Sequence, residues 1–142
     1  MKSFETSGSR VATLVAAVIM LLASLQLQAQ TPKEWKQLKG DFTLYMANDL
    51  GRNGYYDQKP IAELMGEMAK TTGMECVLAV GDIHHFNGVA SVNDPLWMTN
   101  FEQVYSHPEL MLDWFPVLGN HEYRGNTQAV LDYSKVSRRW MM

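Results

Sequence analysis

Thiols are almost absent from this sequence. Of 142 residues, only Cys76 is a cysteine, which excludes an intrachain disulfide and any metal site built on paired thiolates. Cys76 stands in an apolar run and reads as packing rather than chemistry. A basic excess is also missing. Twelve Lys and Arg face fifteen Asp and Glu, for a net charge of −3, so neither nucleic acid nor an anionic membrane surface is indicated as a partner. There is no internal repeat and no low-complexity tract. Nor is there an apolar run long enough to span a bilayer. Residues 11–25 (VATLVAAVIMLLASL) are uncharged but number 15, where a spanning helix needs about 20.

That run has the flanks of a secretory signal instead. Lys2 and Arg10 precede it and the small residue Ala29 follows, the order of a signal peptide with a cleavage site. Residues 1–29 are therefore expected to be a signal peptide, with an uncleaved anchor as the alternative. No cysteine follows the run, which argues against a lipid anchor. Loss of residues 1–29 removes Lys2, Arg10 and Glu5, leaving 113 residues with 10 basic and 14 acidic side chains. An exported protein, periplasmic or secreted, with no stable membrane association after cleavage is the expectation. Without disulfides it would depend on its core or on bound metal for stability.

Residues 30–40 are expected to be a polar linker and 41–142 a domain. Within it, FTLYMAN (42–48) is rich in strand formers. PIAELMGEMAKT (60–71) carries Ile61, Leu64, Met65, Met68 and Ala69 at helical spacing, with Pro60 in the first turn and Gly73 as the stop. CVLAV (76–80) is a continuous apolar run, as expected of a strand covered on both faces. DPLWMTNFEQVYS (94–106) reads as a helix capped by Asp94, with Leu96, Trp97, Phe101, Val104 and Tyr105 buried. WFPVLG (114–119) reads as a third strand and TQAVLDYSKVSRRW (127–140) as a helix whose last part is basic and exposed. The order β-α-β-α-β-α predicts an α/β fold with a parallel sheet and helices on its faces.

Sites in such sheets lie beyond the carboxyl ends of the strands. Each expected strand here ends in ligand-type residues: Asp49, then Asp82 with His84 and His85, then Asn120 and His121. Singly, each has an ordinary reading as a turn, cap or exposed residue. Together, at three successive strand ends, they point to one converging site. Carboxylate, amide and imidazole donors suit Mn, Fe or Zn. A carboxylate can bridge two metals, and two metals about 3.5–4 Å apart can clamp a phosphoryl group and activate water. Asp82, on the middle segment, is the natural bridge. Asp49 and His85 could complete one metal, with Asn120 on the other, and His121 could protonate a leaving group or bind phosphate. His84 is the alternative to His85. Arg52 and Arg124 read as solvated loop residues, and His107 as structural.

With D-x-G at 49–51, G-D at 81–82 and G-N-H-E at 119–122, the chain resembles the calcineurin-like metallophosphoesterases, closest to the tartrate-resistant, purple acid phosphatase branch, over about residues 41–140. The resemblance implies the front half of a helix-flanked β-sandwich metallophosphoesterase domain. It implies phosphomonoester hydrolysis by metal-bound hydroxide at a dinuclear centre of Fe, Zn or Mn, on a small-molecule or phosphoprotein substrate. It further implies Asp49 on the first metal, Asp82 as the bridge, Asn120 on the second metal and His121 as the group that contacts substrate and assists departure. Two departures stand out. The purple branch has a tyrosine where this chain has His85, so tyrosinate colour is not expected, and the usual aspartate after G-N-H is Glu122. The family's later histidine motifs, G-H-x-P and G-H-x-H, do not occur in these 142 residues. Hence the domain is expected to be incomplete at its C-terminal end. The competing expectation is a non-catalytic remnant or binding module.

Overall fold

The structure, a computed structural model, describes residues 13–16 and 32–142. Residues 13–16 are helical and belong to a separate unit from residues 32–142. The expected signal peptide and its cleavage site otherwise lie outside the described residues. Among those described, no helix is long and apolar enough to cross a membrane.

The second unit opens with a short helix α1 (Pro32–Trp35) and a 3-10 turn (Lys36–Leu38). Part of the expected polar linker is therefore ordered: α1 lies against the following long helix and Trp35 is buried. One indole removed from water supplies the driving force that the polar neighbours lack.

Strand β1 (Leu44–Ala47), helix α2 (Gln58–Thr72), β2 (Cys76–Val80) and β3 (Asp113–Val117) follow. The sheet is parallel, in the order β1-β2-β3, with Met46 opposite Leu78 and Leu78 opposite Phe115. An α/β fold with a small parallel sheet is thus what the chain forms. Parallel pairing needs a crossover between strands; α2 provides the first and residues 81–112 the second.

The faces of the sheet are unequal. Val77, Ala79 and Trp114 are fully buried in one cluster with Ala62, Ala69, Trp97, Phe101, Tyr105 and Trp140. On the other face Leu44, Met46, Val80, Phe115 and Val117 are exposed, Met46 by 69%. Coverage of β2 on both faces, expected from its unbroken apolar run, is not found among the described residues. An apolar run reports only that both faces avoid polar side chains; it does not supply the layer that packs there.

Helix α2 turns only part of its apolar set inward. Ile61 and Leu64 are exposed, and the buried stripe is Gln58, Ala62, Gly66, Ala69 and Thr72. Small residues win this face because the His107 ring occupies the place a side chain at 66 would need. Gly73, at φ 68°, closes the helix as predicted.

The expected helix at 94–106 contains a π-helical turn at Met98–Glu102. Asp94 does brace its start, its carboxylate accepting from Ala90 and Leu96 main-chain N–H. At the C-terminal end, α3 (Thr127–Asp132) passes into a 3-10 turn (Tyr133–Lys135) and stops. The expected basic, exposed helix end is therefore corrected. Arg139 and Trp140 are buried, and Trp140 bridges to Trp114. The guanidinium binds the Glu102 carboxylate at 2.9 Å, donates to the carbonyls of Tyr105 and Leu110, and lies 4.2 Å from the Phe101 ring centroid. A charge so fully paired can be interior.

Candidate metal centre

Every expected ligand segment begins where a strand ends. Asp49 is two residues beyond β1, Asp82 two beyond β2, and Asn120 and His121 follow β3. The parallel order therefore brings three loops to one edge. Asp49 and Asp82 each have φ 54°, a left-handed conformation that side chains with a Cβ rarely adopt and that costs on the order of 1–3 kcal/mol. Main-chain bonds hold both there: Asp49 N–H donates to Gly81 O at 3.2 Å and Gly51 N–H to Asp82 O at 3.5 Å.

Asp82, His85 and His121 each offer a ligand atom within 4.8 Å of the others. Asp49 joins them through Oδ1, 3.4 Å from His85 Nε2. The two imidazoles face one another, with centroids 4.1 Å apart. At His85 the hydrogen-bond pattern assigns the tautomer. His85 Nδ1 lies 2.9 Å from Gly51 O and His121 Nδ1 lies 2.6 Å from Phe86 O. A carbonyl only accepts, so His85 Nδ1 carries the proton and its Nε2 keeps the lone pair, while His121 Nδ1 also lies 3.2 Å from Arg124 Nη1. Imidazoles oriented by a backbone carbonyl in this way are typical of metal ligands. With N and O donors and no thiolate, the cluster fits a borderline or hard cation. Burial, then the neighbouring Arg52 cation and His121, push the His85 pKa below its usual value, favouring the neutral form that a metal takes.

His84 points elsewhere. Its ring is wholly buried, edge-on to Trp97 at 4.3 Å, and neither ring nitrogen has a partner. Burial drives its pKa down to about 3. Of the adjacent histidines, then, one belongs to the core and the other to the edge. Asn120 lies on the same edge with its side chain exposed. Arg52 Nη2 approaches Asp49 Oδ1 to 3.9 Å, and Arg124 Nη1 shares the Phe86 carbonyl with His121 at 3.4 Å. Neither cation is simply a solvated loop residue. His107 lies apart, half-buried against α2, with Nε2 3.5 Å from Glu67.

Two residues to which the sequence reading gave no role in the site, Gln58 and Glu122, hold the loops. Gln58 takes main-chain N–H from Arg52 and Gly54 on its oxygen, and its amide donates to the carbonyls of Leu50 and Asn100. Glu122, also wholly buried, accepts from Asp82, Ile83, His84 and Gly119. A glutamine at a helix start carries no sequence signal for this task. For Glu122 the only cue was its place beside Gly119–His121. Gly119 is required by proximity, because a Cβ there would collide with the Asp82 carboxylate and main chain.

The chain matches no family model. It is 32% identical over 139 residues to purple acid phosphatase 4 of Arabidopsis thaliana, covering 95% of this chain and 41% of that protein. Purple acid phosphatase 7 of the same plant is 35% identical over 105 residues, 74% of this chain and 32% of the relative. Tartrate-resistant acid phosphatase type 5 of Oryctolagus cuniculus is 39% identical over 80 residues, 56% of this chain and 25% of the relative. The chain thus spans well under half the length of these relatives. Among solved structures it is similar to GAP50, "the anchor in the inner membrane complex of Plasmodium", with a TM-score of 0.63 and 25% identity over 70% of this chain and 33% of that one. These likenesses make the chain a calcineurin-like phosphoesterase related to the purple and tartrate-resistant acid phosphatase branch.

Proposed function

We propose that this chain supplies the N-terminal half of a dinuclear, metal-dependent phosphomonoesterase site. The observation that carries the reading is the convergence of Asp82, His85 and His121, with Asp49 beside them, at the carboxyl edge of the sheet. In this reading Asp49 and His85 would hold one metal, Asn120 would hold the second, and Asp82 would serve both. Bound metals of this kind supply Lewis acidity and an activated water for attack on phosphorus. His121, with Nδ1 beside Phe86 O, would contact the phosphate and, as the imidazolium, give a proton to the leaving oxygen. Arg52 and Arg124 add positive charge at the rim, where a phosphate dianion approaches.

The ions are Fe, Zn or Mn, and with His85 in place of a tyrosine the centre lacks a phenolate and its colour. The substrate is a phosphomonoester, on a small molecule or a phosphoprotein. The apolar run at 11–25 and Ala29 support export to the periplasm or beyond. The uncovered face of the sheet, with Met46, Phe115 and Val117, suits a second sheet of a β-sandwich.

Phosphate release from p-nitrophenyl phosphate, measured with added Mn, Zn or Fe on protein containing this chain, tests the proposal. Asp82→Asn is expected to abolish turnover. Turnover undiminished in that variant would sink the assignment. A second reading, a non-catalytic binding module, draws on the likeness to a protein described as an anchor. It predicts no metal-dependent turnover in the parent protein, and measurable turnover removes it.

A further inference from the structure

We propose that Glu122 is the positioning residue of this site: one carboxylate, cradled by four main-chain N–H groups of two loops, fixes Asp82 and the Asn120–His121 turn at ligating distance. The proposal rests on the metal-centre reading above and assigns how that centre is shaped before any ion arrives.

The geometry is specific. Oε1 accepts from Ile83 and His84 at 2.9 Å each, and Oε2 accepts from Asp82 at 2.9 Å and Gly119 at 2.8 Å. Two oxygens thus take four bonds, the full capacity of a carboxylate. The side chain is wholly buried, and His84 Nδ1 lies 3.9 Å from Oε1, beyond hydrogen-bond reach. Its compensation is therefore the ring of amide dipoles, the arrangement by which backbone N–H groups hold an anion. These donors are the main chain of the G-D segment and of the glycine before Asn120. Asp82 is held at φ 54° by this grip. Asp82 Oδ1 in turn accepts from His121 N–H at 3.0 Å, so bridge, turn and acid group form one knot.

Side-chain chemistry makes the role testable. Gln at 122 keeps one oxygen but turns an NH2 toward two N–H donors. Asp keeps the charge and loses the reach of one methylene. The experiment uses the full 142-residue chain, as parent, Glu122→Gln, Glu122→Asp and Asp82→Asn. Amide hydrogen exchange is read by NMR without metal, folding by near-UV circular dichroism, and affinity for Mn2+ alone by titration. In Glu122→Gln the amides of Asp82, Ile83, His84 and Gly119 are expected to exchange at least about tenfold faster while Val77 and Trp114 hold their rates. Mn2+ affinity is expected to fall by roughly 10–100-fold, the scale of outer-shell changes at metal sites. Glu122→Asp is expected to fall between parent and Gln in both readouts, and it carries the test should the Gln variant not fold. Unchanged protection of the four amides overturns the proposal, as does lost protection with unchanged Mn2+ affinity. A parent that binds Mn2+ no better than Asp82→Asn overturns the metal-centre reading itself, and the positioning role with it.

Discussion

His85 Nε2 stands 3.4 Å from Asp49 Oδ1 although 36 positions separate the two in the chain. The contact joins the loop after β1 to the loop after β2 and leaves a nitrogen lone pair beside a carboxylate. His85→Ala is therefore expected to weaken binding of divalent metal by at least about tenfold. His84→Ala should leave binding near the parent value and act on stability instead, since its ring packs on Trp97. Isothermal titration with Zn2+ or Mn2+ distinguishes the two. Equal losses of affinity in both variants would contradict the assignment of one histidine to the edge and one to the core.

Gly119→Ala places a methyl group against Asp82. The two loops must separate to admit it, so a loss of about 1–3 kcal/mol is expected, in the range of overpacked interiors. A urea midpoint within error of the parent would mean that the loops part without resistance.

The interior Arg139–Glu102 pair gives a larger effect. Arg139→Ala removes five N–H donors from carbonyls and a carboxylate that remain largely buried. A loss of about 3 kcal/mol is expected. Chemical denaturation checks it, and a loss below about 1 kcal/mol, the surface-pair scale, would place the pair in effective contact with water.

Tyr105 predicts an alkaline limit. Burial raises its pKa from 10.0 to about 12. The folded chain therefore retains a proton between pH 10 and 12 that the unfolded chain gives up. Stability from this group is complete below pH 10 and falls, by up to about 1.4 kcal/mol per pH unit, as pH rises toward 12. Tyr105→Phe should remove that part of the slope. At neutral pH it should cost no more than about 1 kcal/mol, because Gln58 still donates to the Leu50 carbonyl that Tyr105 Oη serves. Parallel alkaline slopes in the two proteins would refute the burial argument.

Much of the architecture could be read locally. CVLAV became β2 over Cys76–Val80 without a shift, because a short apolar run bounded by glycines has few other ways to be buried. The stop of α2 at Gly73 was legible because a left-handed cap has a residue preference. The meeting of the loops that carry Asp49, Asp82, His85 and His121 was legible because the loops after parallel strands share one edge. Burial partners were not. Periodicity gave the helix through Ile61, Leu64, Met65, Met68 and Ala69 but not its buried face, which the tertiary contact set at Ala62, Gly66 and Ala69, since His107 packs at 66. Residues 134–140 looked like a solvated basic helix end, yet Glu102 and the carbonyls of Tyr105 and Leu110 drew Arg139 inside.

By itself, then, the sequence determined the strands, their parallel sense and the loops that carry Asp49, Asp82, His85, Asn120 and His121. These follow from side-chain pattern and turn chemistry, which act over a few residues. Only the tertiary structure decided that His84 turns inward while His85 turns out, that Gln58 and Glu122 hold the loops, and that one face of the sheet stays uncovered among the described residues. Those outcomes depend on groups some 40 positions apart meeting at hydrogen-bond distance, and no local pattern encodes which buried N–H will need which oxygen.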